Sequence, residues 1–143
     1  MITESNVEKA KKLIKQSKKP IIIKAQDDIF NRKIIEYGKF DIFLSPEAGN
    51  RKNSVKNLDS GLNEVLARIA SKNNIAIGID IEKISRLNKE DKAGVLEKIK
   101  QNIKICRKSK AKIRAINQKD KNNAFALLIS LGASTQQAKE AVY

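Results

Sequence analysis

Four short apolar runs alternate with helical patterns along this chain, and this alternation constrains the fold more than any other feature. The runs cover residues 21–23, 40–44, 75–79 and 112–116. The first run is three isoleucines in succession, which is typical of a strand buried on both faces. Strands that are separated by helices form mainly parallel sheets with right-handed crossovers. The sequence therefore predicts an α/β fold, either an open three-layer sheet or a distorted or partial TIM-like barrel with a mainly parallel sheet.

Helical patterns fill most of the chain around these runs, with apolar residues at three- and four-residue spacing and capping residues at their ends. The predicted helices are one capped by Asn6 with Val7, Ala10, Leu13 and Ile14 on its buried face, one from Asp27 and Asp28 to Gly38, one from Asp59 or Ser60 to Asn73, and one each over residues 94–108, 123–131 and 135–142. Residues 45–60 are expected to be irregular, with an extra strand if the sheet is barrel-like, and a polar loop precedes residue 94. Since no repeat or linker is visible, we expect residues 1–143 to form a single domain.

Positive charge is concentrated between residues 98 and 121, where ten basic side chains accompany one acidic residue, Asp120, in a chain of formal net charge +14. In the helix predicted over residues 94–108, the apolar face consists of Leu96, Ile99, Ile103 and Cys106. Beside it runs an exposed set that we call the basic stripe, which consists of Lys100, Lys104, Arg107 and Lys108. Such a stripe predicts a surface that binds a polyanion, with nucleic acid as the favoured partner and a merely solvated helix face as the alternative.

The positive charge continues into the fourth apolar run. Lys112 and Arg114 alternate there with Ile113 and Ala115. A central parallel strand does not carry two charges on one face. We therefore expect this strand to lie at the edge of the sheet or to present that face to water or to a ligand.

Missing residue types exclude several classes of function. The chain has no histidine, which excludes Ser-His-Asp and Cys-His nucleophilic sites and histidine general acid-base catalysis. Cys106 is the only cysteine, so no disulfide forms within the chain, and its place on the apolar helix face predicts a core residue. Aromatic residues make up 4% of the chain, which leaves little for stacking RNA bases. No apolar run is long enough to cross a membrane and no signal peptide is recognisable, so we expect a cytoplasmic protein.

Acidic residues at strand ends or in loops are the candidates for chemistry. They are Glu47, Asp59, Asp80, Glu82 and Asp120. Asp80 and Glu82 share one side of an extended segment, where two carboxylates hold Mg²⁺ or do acid-base work in some proteins. The interpretation that we favour is that they cap helices or pair with the nearby Lys83 and Arg86. The glycines match no phosphate-binding motif.

Several segments resemble the archaeal ribonuclease P protein component 3 family, the counterpart of the thirty-kilodalton subunit of the eukaryotic enzyme. These segments are Asn31-Arg32-Lys33 with Glu36, Asp41-Ile42 leading to Ser45-Pro46-Glu47, residues 61–67 followed by 73–77, Arg86, Asn102-Ile103, residues 107–110 and residues 127–138. Together they extend over nearly the whole chain. The chain departs from the family in two places: the opening strand and helix are not recognisable, and residues 115–120 replace a small, acidic strand end.

The resemblance implies a distorted TIM-like barrel that serves as a non-catalytic protein subunit of ribonuclease P. In that family the RNA is catalytic and removes the 5′ leader of precursor tRNA, and the protein pairs with ribonuclease P protein component 2. We therefore expect no catalytic residue, metal or cofactor in this chain. The expected RNA contacts are Lys100, Lys104, Arg107, Lys108 and Arg114, together with Arg32, Arg51 and Arg86, which the resemblance adds.

Two other functions remain open from the residues alone. One is a small phosphoesterase-like α/β-barrel enzyme that acts through Asp80, Glu82 or Asp120. The other is a protein-interaction scaffold whose positive charge only keeps it soluble.

Overall fold

The computed structural model describes residues 1–48 and 58–143, so that Arg51 and most of the segment predicted to be irregular lie outside the described residues. Helices and strands alternate as predicted. Their bounds are α1 Val7–Gln16, β1 Ile22–Lys24, α2 Asp28–Tyr37, β2 Ile42–Leu44, α3 Glu64–Lys72, β3 Ala76–Asp80, α4 Ile81–Ser85, α5 Lys89–Ser109, β4 Ile113–Ile116, α6 Lys121–Ser130 and α7 Thr135–Val142.

The four strands form one parallel sheet in the order β1-β2-β3-β4. Near the N-terminus, Ile2 makes a parallel bridge to Ile23 and extends the sheet by one residue beyond β1. The helices α1, α2, α3 and α5 contact one another in that order, so they cover the same face of the sheet. Helices along one face of a parallel sheet are the arrangement of a partial TIM-like barrel, so the α/β prediction is confirmed.

One row of side chains across the sheet forms the centre of the core. Ile23, Phe43, Ile77 and Ile113 are neighbours in the strand register, and each is at most 2% exposed. All four belong to the apolar cluster that the helices complete. Because side chains alternate between the two faces of a sheet, the residues before and after each of these four point to the opposite face.

The opposite face is closely packed at Gly78. This residue lies in register with Leu44 on one side and Arg114 on the other. A Cβ atom at position 78 would lie 2.6 Å from Ile42 Cγ2 and 3.0 Å from Leu44 Cδ1. Side chains from β2 therefore occupy the space that any other residue at position 78 would need.

The predicted starts of the third helix and of the long helix were wrong. The third helix begins at Glu64, because Asn63 accepts a hydrogen bond from the backbone N–H of Leu66 at 2.9 Å. Asp59 instead accepts from the N–H of Gly61, whose φ of +77° turns the chain before the helix can begin. The long helix begins at Lys89 after the cap Asn88 and includes Gly94 in its interior.

Other differences concern a missed helix and one side chain. The segment predicted to be a polar loop contains the short helix α4, which Asp80 caps. Helix α6 begins at Lys121 rather than at residue 123, because Asp120 caps it. Leu13 was predicted to be buried but is 40% exposed, since α1 packs through Ala10 and Ile14. No helix within residues 1–48 and 58–143 is both long enough and apolar enough to cross a membrane.

The two glycines of β3 and α5 provide a test of the packing. We expect Gly78→Ala to lower the free energy of unfolding by about 1–3 kcal/mol, because Ile42 and Leu44 must move. We expect Gly94→Ala to raise it by about 0.5–1 kcal/mol, because a Cβ there meets nothing within 4 Å and alanine favours a helix interior. Urea denaturation of both variants measures the two changes. A neutral Gly78→Ala would contradict the close packing of this sheet face.

Candidate nucleic-acid interface

Helix α5 holds most of the predicted interface, and its sequence fixes which side faces the core. Its buried residues are Ile99, Asn102, Ile103, Cys106 and Ser109, at three- and four-residue spacing. Cys106 is fully buried, and burial raises the pKa of its thiol to about 12. The prediction of a core cysteine is therefore confirmed.

All four residues of the basic stripe are exposed on the outer side of α5. Lys100 lies 4.0 Å from Glu97 one turn earlier. Among the described residues, Lys104 has no ion-pair partner. Arg107 donates from Nη1 to the carbonyl oxygen of Gly132 at 2.6 Å, which holds its guanidinium over the connection between α6 and α7. These side chains keep most of their charge available to a ligand, since exposed ion pairs contribute little.

Lys108 points toward the neighbouring helix. Its ammonium lies 2.8 Å from Glu64 at the start of α3, and Arg68 lies 3.6 Å from the same carboxylate. The hydrogen bond from Lys108 is the main reason why the pKa of Glu64 is lowered, and Arg68 adds to the effect. Lys108 thus links α5 to α3, so that an RNA phosphate would compete with Glu64 for it.

Arg114 lies apart from the basic stripe. It is exposed on β4, the last strand of the sheet in the described part of the chain, as the alternation of charges predicted. Its neighbours Ile113 and Ala115 are buried among the helices, so Arg114 faces the other side of the sheet. Its Nη1 donates a long hydrogen bond of 3.5 Å to the carbonyl oxygen of Glu140 in α7.

The arginines that the resemblance added lie on separate elements. Arg32 is in α2, which α3 separates from α5, and it pairs with Glu36. Arg86 follows α4 and donates to Glu82 at 2.7 Å. Both pairs are exposed and join residues four apart on a helix, so they hold the side chains weakly. The structure therefore brings the basic stripe together and leaves Arg32, Arg86 and Arg114 on separate elements, while Arg51 lies outside the described residues.

The candidate catalytic acids have structural partners. Asp80 accepts from the backbone N–H of Lys83 at 3.1 Å and from the side chain of Asn117 at 3.1 Å. Glu82 pairs with Arg86, and Asp120 caps α6 by accepting from the N–H of Asn123 at 3.0 Å. This agrees with the interpretation that these acids cap and pair. The described residues contain no group of three or more acidic or cysteine side chains placed to hold a metal ion.

Sequence reasoning did not foresee a cavity beside Glu47. It has a volume of about 400 Å³ and lies at the carboxyl ends of β2 and β3, next to the first half of α5. Glu47 lines it and is 6% exposed. The sequence places Glu47 in a loop, but its burial depends on how α4 and α5 pack, which no local pattern reveals. We call this space the strand-end cavity.

Comparisons with known proteins bear on the identity of the chain. No protein-family model matches it. Ribonuclease P protein component 3 of Methanococcus maripaludis (strain C7) is 26% identical over 105 residues, and that of Methanococcus vannielii is 27% identical over 105 residues. Each alignment covers 73% of this chain and 42% of the relative. The chain thus spans about two fifths of the length of the curated relatives it matches.

A structural comparison agrees with the sequence comparison. A chain in the cryo-EM structure of archaeal ribonuclease P with mature tRNA matches with a TM-score of 0.79 at 24% identity. The match covers 97% of this chain and 61% of that one. The predicted resemblance is therefore confirmed: over most of its length the chain is similar in sequence to ribonuclease P protein component 3, and it has the fold of a chain found in archaeal ribonuclease P.

Proposed function

We propose that this chain acts as a non-catalytic protein subunit of ribonuclease P, which binds the catalytic RNA and supports removal of the 5′ leader from precursor tRNA. The similarity to ribonuclease P protein component 3 is the observation that carries this proposal. The net charge of +14 and the exposed basic stripe support it, because phosphate contacts by Lys and Arg provide most of the affinity of a protein for RNA.

The partners follow from the same proposal. They are the ribonuclease P RNA, ribonuclease P protein component 2 and, through the assembled complex, precursor tRNA. We further propose that residues 1–143 act as one domain in the cytoplasm, without a catalytic residue, metal or cofactor of their own.

The proposed RNA contacts differ in how exposed their side chains are and in which groups they already contact. Lys100 and Lys104 are the best candidates, because they are exposed and at most weakly paired. Arg107 donates to a backbone carbonyl, and it has no acidic partner among the described residues. Lys108 must leave Glu64 to bind a phosphate. The other proposed contacts are Arg32, Arg51, Arg86 and Arg114, and those whose positions are described would meet other parts of the RNA.

The two alternatives receive less support. A phosphoesterase-like enzyme needs acids free to act, whereas Asp80, Glu82 and Asp120 all cap or pair. A scaffold that uses its charge only for solubility needs no stripe along one helix. The next two experiments separate both alternatives from the proposal.

Salt dependence tests the phosphate contacts. If about six phosphates are neutralised, affinity for ribonuclease P RNA is expected to fall on the order of 10³-fold between 50 and 200 mM salt. Replacing Lys100 and Lys104 together by glutamine is expected to reduce the slope of log K against log salt by about 1.5, because two contacts are lost. Filter binding or fluorescence anisotropy measures both quantities.

The matched control is the double replacement of Lys12 and Lys15 by glutamine. It removes the same charge from exposed positions on α1, which α2 and α3 separate from α5. We expect a clearly smaller change in the slope. Equal changes in the two double variants would favour the solvated surface over the basic stripe.

Reconstitution tests the role in cleavage. The ribonuclease P RNA and component 2 are incubated with precursor tRNA, with and without this chain, and release of the 5′ leader is followed. We expect this chain to raise the rate, and the Lys100 and Lys104 double variant to raise it less. Absence of stimulation would argue against the subunit role, and cleavage by the protein without the RNA would favour the enzyme alternative.

A further inference from the structure

The strand-end cavity is a feature that the proposed RNA contacts leave unexplained. Its floor contains Ser45 and Glu47 after β2 and Asp80 at the end of β3. Its walls come from α4 and from the first half of α5. Ligands of parallel α/β folds bind at the carboxyl ends of the strands, because the loops and helix starts there converge. The cavity thus lies where this fold class places its ligands.

The lining of the cavity differs from the rest of the molecule in charge. Among the residues that the structure describes, four carboxyl groups line it, against two ammonium groups, in a chain whose net charge is +14. The carboxyl groups belong to Glu47, Asp80, Glu90 and Asp91, and the ammonium groups to Lys83 and Lys98. A local excess of acid favours a cation over a phosphate.

An apolar wall faces these charges. Ile84 is buried, and Leu87 and Val95 are half-buried beside it. A small inorganic cation gains nothing from such a wall. An aliphatic stem that carries a positive charge at its tip fits both parts of the lining.

Among the acids in this lining, Glu47 is the one that has no role at a helix start. Asp80 caps α4, and Asp91 accepts from the side chain of Asn88 at 2.9 Å at the start of α5. Glu90 is exposed at the first turn of α5. Glu47 instead is buried. Of the effects that lower the pKa of its carboxyl group, the largest is a hydrogen bond from its own backbone.

Burial raises the pKa of Glu47 to about 7, and the nearby charge of Asp80 adds to the rise. Its backbone hydrogen bond and the charges of Lys83 and Lys98 oppose the rise without cancelling it. The ionised and protonated forms are therefore close to balance at neutral pH. A cation that enters the cavity would favour the ionised form and release the proton.

We propose that the strand-end cavity binds the guanidinium group of an arginine side chain from a partner polypeptide, with the Glu47 carboxylate as its principal contact. The planar guanidinium donates two parallel hydrogen bonds to one carboxylate, and the apolar wall packs against its three-carbon stem. A nucleotide fits less well, because its phosphate would meet Glu90 and Asp91. The proposal does not depend on the proposed role in ribonuclease P.

The test uses the full chain and a short peptide, Ac-Gly-Arg-Gly-NH2, in an NMR titration. At pH 8 we expect the backbone amide signals of Ser45, Ala48 and Gly94 to shift in a saturable manner. Because the peptide requires ionised Glu47, the affinity is expected to weaken on the order of 10-fold at pH 6, where the carboxyl is mostly protonated. A pH-independent affinity would overturn the assignment of Glu47 as the contact.

Two variants identify the carboxylate. Glu47→Gln has the same shape without the charge, and we expect it to weaken peptide binding at pH 8 at least 10-fold. Glu97→Gln is the matched control on the exposed side of α5 and is expected to bind as the unmodified protein does. Thermal unfolding at pH 8 should show that Glu47→Gln is no less stable, because burial already disfavours the charged form. Equal binding by Glu47→Gln would overturn the proposal.

Two further ligands test the chemistry of the guest. Ac-Gly-Lys-Gly-NH2 is expected to bind more weakly, since an ammonium lacks the planar pair of donors. Guanosine monophosphate is expected to leave the three amide signals unchanged. Equal binding of the lysine peptide would overturn the guanidinium assignment, and saturable shifts with the nucleotide alone would identify a base-binding pocket instead.

Discussion

The rest of this structure depends on one interaction, the burial of an apolar row across the sheet. The row consists of Ile23, Phe43, Ile77 and Ile113. One residue from each strand contributes to it, so the row forms only when all four strands are in register. A shift of any strand by one residue would turn its apolar side chain to the opposite face. The same constraint fixes the position of the strand ends, and therefore the place where Glu47 and Asp80 meet.

The core also explains how the chain tolerates its positive charge. Excess charge destabilises a compact state by self-repulsion, and the cost is reduced when the charges are exposed to water and salt, which screen them. The four residues of the basic stripe lie on the outer side of α5, and two of them reach acids on the protein surface. Apolar burial holds the fold, which leaves the exposed charges free to serve binding. The proposed RNA contacts and the buried residues of the core thus lie on different faces of the same helix.

Local patterns predicted most of this fold, and the exceptions have physical reasons. The four strands were recognisable because β-branched runs favour a sheet buried on both sides. Asn6, Asp27 and Ser134 mark helix starts through side-chain caps that the structure contains. The prediction that the long helix begins at Gly94 is wrong, because Asn88 caps a helix that starts at Lys89 and continues through this glycine.

The site was only partly predictable for a similar reason. The exposure of the basic stripe follows from the helical period of α5 alone, so the sequence was sufficient. The pairing of Lys108 with Glu64 and the burial of Glu47 depend on how separate helices pack. Contacts between distant segments leave no periodic signal in the sequence. The resemblance to the family added Arg32, Arg51 and Arg86 but provided no geometry for them.

Helix α5 connects the two proposed binding surfaces, and its length determines how they interact. Gly94 lines the strand-end cavity, and Lys104 lies ten residues later in the basic stripe. At a rise of 1.5 Å per residue, these positions are roughly 15 Å apart along the helix axis. That distance exceeds the screening length of about 8 Å at physiological salt. A guanidinium in the cavity would therefore repel Lys104 only weakly, whereas Lys100, at roughly 9 Å from Gly94 along the axis, would feel a stronger repulsion. A protein partner in the cavity and an RNA bound at the later part of the stripe can thus occupy one helix together.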